Sequence, residues 1–352
     1  MAITTSAKNI LWVDIAKFIA MFLVVFEHVV LAFKLDHTSY IAYIRNVIVT
    51  FHMPLFFLIS GYLYKQKSKL ENYEKILWAL MVPYLIYQFA YLPLKLGYYH
   101  LFENIPLGIA SLKCLIGILL GDNLGTEGSK YALSVCPAMW FVMVMIQLRF
   151  IFANINMTIK NLSIITIIAF VVLKILKFAN IDLYFCLDNT LYAIPYFVAG
   201  YCIKNYFTKI IYFIEKYYFI IFLLLIIFLQ ISYFLRHNFN NILLLQYVCG
   251  FVGSFAIIAL SQLFKTSNNF LNVIAKNTLF IIFFQSLFLF ITKWVKTYNI
   301  MLFLSHNYEK FIFVIAFSFL IYIVSYFTIK LLERLNWNIV LGKYKRGSKC
   351  SV

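Results

Sequence analysis

Long apolar runs dominate the chain, and short polar segments separate them. A helix needs about 17–25 mainly apolar residues to cross a bilayer. Runs of this length recur along the whole sequence and predict ten membrane-spanning helices, at 10–33, 44–64, 76–97, 138–155, 161–178, 187–204, 215–235, 242–264, 272–294 and 311–332. The pattern therefore predicts an all-α integral membrane protein.

An eleventh apolar run, 105–120, is short, opens at Pro106 and contains Lys113. If it lies at the outer interface or is re-entrant, most basic residues fall on the cytoplasmic side, as the positive-inside rule requires. If it spans, every later loop changes side. We predict ten spans, one short interfacial or re-entrant helix and two cytoplasmic termini, with one membrane domain over 1–332 and a short basic tail over 333–352.

Composition agrees with a membrane protein, because only 12% of the residues are charged against about 25% in soluble domains. The net charge of +17 fits basic cytoplasmic loops better than a nucleic-acid partner. The six cysteines include no CxxC pair, which argues against a zinc site or a disulfide framework, and no metal is expected. The first run is too long for a signal-peptide core and is expected to be a retained helix in the cell membrane.

The first span carries four ionisable residues, Asp14, Lys17, Glu27 and His28. Such residues are costly in a bilayer and usually face a bundle interior or a watery cavity. Lys17 and His28 share one helix face, because eleven residues at 100° each return to within about 20°, with a rise of roughly 16 Å. This face offers a cation near the cytoplasm and an imidazole toward the outer side, which suits a donor from inside and an acceptor from outside.

Simpler readings of the same residues stay open. Lys17 could reach the cytoplasmic interface and pair with Asp14, and His28 could be a satisfied polar residue at the outer interface. Glu27 lies about 100° round the helix from His28 and would orient that ring only through another helix. In the second span, His52 lies at a depth close to that of His28.

The second span has a further pattern. Pro54 is expected to kink or unwind the helix locally, and Ser60 with Gly61 permits close helix approach. This chain resembles the multi-pass membrane acyltransferase-3 family in two places. One is Asp14-x-x-Lys17 with His28 eleven residues after the lysine, and the other is the stretch Phe51-His52-Met53-Pro54-Leu55-Phe56-Phe57-x-Ile59-Ser60-Gly61-Tyr62. It is most similar to the fucose-4-O-acetylase-like and surface-polysaccharide O-acetyltransferase branch. Weaker matches are Trp140-Phe141, Pro195-Tyr196-Phe197-x-x-Gly200-Tyr201 and Asn277-Thr278-Leu279-Phe280.

The resemblance implies transfer of an acyl group, usually acetyl, from cytoplasmic acyl-CoA to a sugar hydroxyl of a surface glycan or its lipid-linked precursor. It implies that His28 is catalytic and that Lys17, beside Asp14, helps to hold acyl-CoA where the family usually has arginine. Ile76 and Ala79 stand where relatives often carry an Arg-x-x-Arg pair. Anchoring of the donor would then be either looser or rebuilt on Lys65, Lys67, Lys69 and Lys75, although an ordinary positive-inside loop explains these lysines equally well. Gln285 stands where relatives often have histidine.

In the expected chemistry, a neutral His28 takes the proton of the sugar hydroxyl as general base, an effect worth about 10²–10⁴-fold. The oxyanion donor is open among Ser60, Tyr62, Asn46 and a backbone N–H near Pro54, and an acyl-enzyme relay is a second route. Contacts to the acceptor are expected from His52, Trp140 and Asn46.

A transporter or flippase is the competing class, because intramembrane ionisable groups also serve proton-coupled carriers. A carrier would spread such groups over several helices near broken segments, whereas here the sequence concentrates them on the first span. A polysaccharide polymerase accessory protein would need a larger external loop than 121–137, the longest polar stretch. The acyltransferase is the favoured interpretation.

Overall fold

The computed structural model describes residues 4–35, 39–121, 131–238, 242–294 and 306–343. Over these residues it is helical and contains no strand. In chain order the helices are α1 Thr4–Ala32, α2 Ser39–Val49, α3 His52–Leu63, α4 Lys69–Ile76, α5 Val82–Phe102, α6 Leu107–Leu119, α7 Trp140–Ala153, α8 Ile159–Phe178, α9 Leu187–Asn205, α10 Lys209–Asn238, α11 Leu243–Ser261, α12 Asn269–Lys276, α13 Thr278–Trp294 and α14 Asn307–Arg334. The all-α prediction is confirmed.

Within the described residues, seven stretches are long and apolar enough to cross a membrane: Leu11–Ala32, Tyr40–Leu63, Lys69–Phe102, Ile159–Phe178, Lys209–Arg236, Leu243–Ser261 and Asn307–Arg334. The pair Asn269–Lys276 and Thr278–Thr292 is an eighth if it forms one span bent by 85°. The protein is thus a multi-pass membrane protein. The remaining two predicted spans correspond to the shorter apolar helix Pro137–Ala153 and to α9, whose first turn is polar at Asp188 and Thr190. The total of ten stays a prediction.

The run at 105–120 forms the short helix α6, of 13 residues. At 1.5 Å per residue it is about 20 Å long, whereas the hydrocarbon core of a bilayer is about 30 Å thick. Pro106 precedes its first residue. The helix is therefore too short to cross by itself, as the sequence pattern predicted.

Two compact units divide the chain. The first comprises 1–65, 162–174 and 192–326, and the second comprises 66–161, 175–191 and 327–352. The predicted polar loop at 121–137 includes 122–130, and the predicted tail at 333–352 includes 344–352. The stretches 122–130 and 344–352 lie outside the described residues.

The first unit is built around α1, which packs against α2, α3, α11, α12 and α13. Glycines bring its helices into backbone contact at two places, because a Cβ on Gly61 would overlap the carbonyl oxygen of Phe197 and one on Gly200 would overlap that of Leu58. The close helix approach predicted at Gly61 is confirmed. These contacts fix α3, and with it the N-terminal residue His52, against its neighbours.

The predicted second span is two helices, and the break between them falls at Thr50 and Phe51. Pro54 explains this break, because proline has no N–H to donate to the carbonyl four residues earlier and its ring crowds that carbonyl. The local unwinding predicted at Pro54 is confirmed. It places His52 at the first turn of α3, directly after the break.

In the second unit, α4 starts at an N-cap, where the Ser68 hydroxyl accepts a hydrogen bond from the Glu71 N–H. A π-helical turn, Leu77–Met81, joins α4 to α5. Gly342, at a φ of +66°, lies close to the Ala79 carbonyl of this turn. A π-helical turn widens the helix locally, and Trp78 lies within it.

Candidate functional site

The Glu27 carboxylate lies at the centre of a group of polar side chains in the first unit. Its Oε2 atom is 3.8 Å from His28 Nε2 and 3.9 Å from His52 Nε2. These separations exceed a direct hydrogen bond. The side chain of His28 is 30% exposed and that of Glu27 is 12% exposed, so the group is only partly buried. We call Glu27, His28, Arg45, His52 and Gln285 the Glu27 cluster.

Arg45 of α2 holds the other oxygen of this carboxylate. Its Nη2 donates to Glu27 Oε1 at 3.3 Å, and its Nη1 donates to Asn46 Oδ1 at 3.2 Å. A guanidinium is always charged and offers several fixed donors, so Arg45 can hold the carboxylate and the Asn46 amide at the same time. The predicted acceptor contact Asn46 is exposed and touches the cluster through this bond.

His52 is buried at the first turn of α3. Its Nδ1 is 2.9 Å from the carbonyl oxygen of Ile48, four residues earlier. The ring is therefore held from one side by the last turn of α2, while Nε2 points toward Glu27. His52 and His28 come from different helices, and both lie within 4 Å of one carboxylate oxygen. The sequence predicted their similar depth but not this convergence.

Gln285 of α13 holds the ring of His28. Its Nε2 donates to His28 Nδ1 at 2.8 Å, and its side chain is fully buried. Its Oε1 has no hydrogen-bond partner among the described residues. The Gln285 amide can therefore fix the orientation of the His28 imidazole.

At the other end of the same helix face, Lys17 Nζ lies 3.6 Å from Asp14 Oδ1. Both side chains are largely buried, with 20% and 11% of their surface exposed. The pairing that the i, i+3 spacing suggested is confirmed. It holds a cation and an acid on α1, close to where α1 packs against α12.

The sequence profile of the acyltransferase-3 family, described as an acyltransferase domain, matches residues 10–340. The chain belongs to this family. No curated protein and no solved structure matches the chain. The match spans the helices of the Glu27 cluster and nearly all of the rest of the sequence, so the protein is a membrane acyltransferase.

The Glu27 cluster contains side chains of the kinds that carry out proton transfer. Imidazoles move protons near neutral pH and a carboxylate stabilises an imidazolium. The cluster combines two imidazoles, a carboxylate and a guanidinium on α1, α2 and α3 with an amide on α13. Among the described residues, no group of three or more His, Cys, Asp or Glu side chains is arranged to hold a metal ion.

Two predicted oxyanion donors lie away from the cluster. Ser60 is eight residues after His52 on α3, a rise of about 12 Å. Tyr62 packs edge to face on Trp12 at 5.0 Å and lies 5.7 Å under the ammonium of Lys204. Neither residue is brought beside the two imidazoles.

The other predicted donor-binding and acceptor-binding residues are spread over both units. Lys65 is exposed in the first unit. In the second unit, Lys67 pairs with Glu71 at 3.6 Å, and Trp140 is half-buried against Phe141. Lys75 lies in the second unit at a cavity of about 340 Å³ lined by Lys75, Trp78, Ala79, Leu80, Arg149 and Gly342.

Arg45 is the member of the cluster that sequence reasoning missed. It lies at the start of a predicted span whose other residues are nearly all apolar, and an ionisable residue in such a run is itself a signal of function. The sequence left open whether Glu27 orients the ring of His28, and the structure places Glu27 Oε2 3.8 Å from His28 Nε2. Gln285 was considered either dispensable or the holder of a hydrogen bond without proton transfer, and the structure places its amide 2.8 Å from His28 Nδ1.

Proposed function

We propose that this membrane acyltransferase moves an acyl group, acetyl in the first instance, from cytoplasmic acyl-CoA to a sugar hydroxyl of a surface polysaccharide or its lipid-linked precursor. The observation that carries the proposal is the convergence of His28 and His52 on Glu27, in a chain that matches the acyltransferase domain over 10–340. A sugar hydroxyl is a weak nucleophile, and an imidazole at hydrogen-bond distance makes it reactive by taking its proton.

The donor is proposed to enter from the cytoplasm. Coenzyme A carries several negative charges, so a mouth with basic side chains raises its local concentration. Lys17 beside Asp14, with Lys65, Lys67 and Lys75, are the proposed contacts. Lysine keeps the positive charge of the family's usual arginine but lacks its planar fork for phosphate, so we expect looser donor binding than an arginine would give.

The acceptor is proposed to be a sugar that approaches from the outer side, where His28 lies if the N-terminus is cytoplasmic. The similarity of the second span to the fucose-4-O-acetylase-like branch supports this acceptor class. Trp140 offers an aromatic surface on which a sugar ring could stack, and Asn46 an amide for its hydroxyls. The protein is proposed to lie in the cell membrane with both termini inside.

A carrier is the second candidate, and one observation favours it. The ionisable groups of the cluster come from α1, α2 and α3, and the 85° break between α12 and α13 lies on the helix pair that supplies Gln285. Ionisable groups on several helices near a broken segment are typical of transporters. The sequence argument against a carrier, that such groups are concentrated on the first span, is therefore weakened. The family match still favours group transfer.

The experiment compares membranes with and without the protein, each given acetyl-CoA labelled in its acetyl group and native surface glycan. Label in the glycan only when the protein is present supports the proposal. Label from succinyl-CoA and not from acetyl-CoA would keep the class and change the acyl group. Absence of label with both donors, together with protein-dependent movement of the unmodified glycan across the membrane, would favour the carrier.

A further inference from the structure

The hydrogen bond to His52 fixes which of its ring nitrogens carries hydrogen. Its Nδ1 lies 2.9 Å from the Ile48 carbonyl oxygen, and a carbonyl oxygen can only accept. Nδ1 is therefore the donor. In the neutral ring Nε2 is then bare, and this bare nitrogen is the one that points toward Glu27.

The hydrogen bond to His28 places the ring hydrogen on the other nitrogen, Nε2. Gln285 Nε2 lies 2.8 Å from His28 Nδ1, and an amide nitrogen only donates. Nδ1 is the acceptor, so the neutral ring carries its hydrogen on Nε2. In the structure the amide nitrogen of Gln285, and not its oxygen Oε1, faces His28 Nδ1, and the tautomer assigned to His28 follows from this orientation.

The two rings of the Glu27 cluster are therefore complementary. At the same carboxylate oxygen, His52 presents a bare nitrogen and His28 presents an N–H. We propose that His52 is the general base of the acyl transfer and that His28 remains protonated at Nε2 as a hydrogen-bond donor to the oxyanion. This proposal rests on the proposed function and reverses the sequence expectation, in which His28 is the base.

In this reaction a single proton moves from the acceptor hydroxyl to His52 and from His52 to the leaving thiolate. The acceptor oxygen forms a C–O bond to the acyl carbon while its proton passes to His52 Nε2. The carbonyl electron pair moves to oxygen, where the His28 N–H stabilises it. When the C–O double bond re-forms, the C–S bond breaks and its electron pair leaves with sulfur. The thiolate takes the proton from His52, which returns to its neutral form.

The carboxylate between the rings has a defined part in this scheme. It stabilises the imidazolium that forms on His52, since an opposite charge nearby favours the charged ring. Arg45, at 3.3 Å from the other carboxylate oxygen, holds the carboxylate in place between the two rings. Glu27 and Arg45 are positioning residues, because they act through the imidazoles.

The first test reads the tautomers directly and needs no activity. The full chain, labelled with nitrogen-15 in the histidine rings and reconstituted in lipid, is examined by NMR, with the signals assigned from the variants His28→Gln and His52→Asn. We expect Nδ1 to carry the hydrogen in His52 and Nε2 to carry it in His28. The same tautomer in both rings, or the reverse pair, would overturn the proposal. His100, which lies in the second unit, is the control ring.

The second test uses substitutions matched to these roles. His28→Gln keeps an N–H donor near the Nε2 position but cannot accept a proton. His52→Asn keeps a donor for the Ile48 carbonyl but removes the bare nitrogen. We expect acetyl transfer to fall by about 10²–10⁴-fold in His52→Asn, the range of a lost general base, and by less than about 10²-fold in His28→Gln.

The two outcomes separate this proposal from the proposed function. An equal loss in both variants, or a larger loss in His28→Gln, would show that His28 is the base and overturn the allocation. If the wild-type chain transfers no acyl group, the proposed function fails while the NMR result still decides the tautomers. His100→Gln is the matched control and is expected to transfer acetyl at the wild-type rate.

Discussion

Glu27 Oε1 accepts a hydrogen bond from Arg45 Nη2 at 3.3 Å, and so ties α1 to α2 at the depth of the two imidazoles. The side chains are 12% and 23% exposed, so solvent screens the pair only in part. Exposed ion pairs contribute about 0–1 kcal/mol, whereas loss of one partner of a buried pair costs about 3–5 kcal/mol. This pair lies between those limits.

Glu27→Gln and Arg45→Gln should each destabilise the protein by about 1–3 kcal/mol, because each leaves a partly buried charge without its partner. The double variant should lose less than the sum of the single changes. Thermal unfolding in detergent measures all three against the wild type. Additive losses would show that the two side chains do not interact in the folded protein.

Gly61→Ala and Gly200→Ala should separate α3 from α9, because each new Cβ would overlap a backbone carbonyl oxygen that no rotamer change can move. We expect a loss of about 1–3 kcal/mol or more from overpacking, seen as a lower melting temperature. Gly97→Ala is the matched control, since nothing lies within 4 Å of its Cβ position and alanine is the better helix former. Wild-type melting of Gly61→Ala would refute the close approach.

Gln285→Leu should reduce acetyl transfer about tenfold, the effect of losing one hydrogen bond worth about 1–1.5 kcal/mol in the transition state. Stability should change little, because the substitution also removes a buried oxygen that has no partner among the described residues. The loss is expected in kcat, with the KM for acetyl-CoA unchanged. Ser286→Ala is the control, since that hydroxyl donates to Ile282 within its own helix. A rate in Gln285→Leu equal to that of this control would remove Gln285 from the mechanism.

Reversal of two charges at the proposed donor mouth, in the variant Lys65→Glu with Lys67→Glu, should raise the KM for acetyl-CoA severalfold and leave kcat nearly unchanged. The reason is long-range attraction of the coenzyme phosphates, which added salt should weaken. Lys174→Glu, an exposed lysine on the predicted outer side, should have no effect. An unchanged KM in the double variant would assign the lysines to the ordinary positive-inside pattern.

A reporter enzyme fused after Val352 should read as cytoplasmic if 105–120 does not span the membrane. The short α6 helix and the distribution of basic residues both lead to this expectation. A second fusion within 121–137 should read as external. An external tail would require an odd number of spans and would reverse the side assigned to every loop after residue 120.

Much of the site was visible in the sequence because ionisable residues in a bilayer are rare and costly. That rule alone singled out Glu27 and His28 on α1, and motif similarity added His52. Helix periodicity placed Asp14 beside Lys17, and proline chemistry predicted the break ahead of Pro54. These inferences use only neighbours along one helix or a local backbone rule, which is the information that a single sequence contains.

The missed features depend on contacts between helices. Gln285 is 257 residues from His28, and nothing in the spacing of a single chain reveals that pair. Arg45 resembled one more basic residue at the end of a span, until its guanidinium was found on Glu27. The donor roles considered for Ser60 and Tyr62 assumed that they lie near His52, but an α-helix carries them about 12 Å or more away from it. The number of spans is uncertain in sequence for another reason. The first turn of α9 is polar, so an average of hydropathy along this helix identifies it poorly as a span.

The most direct test of the central claim is acetyl transfer to native surface glycan in membranes that contain the wild-type chain, His28→Ala or Lys174→Ala. Each sample receives labelled acetyl-CoA, and the amount of folded protein is matched by size-exclusion chromatography. We predict label in the glycan with the wild type and Lys174→Ala and a loss of at least about 10²-fold with His28→Ala, which removes an oxyanion donor or a base from the Glu27 cluster. Equal labelling by all three proteins would contradict a reaction centred on that cluster.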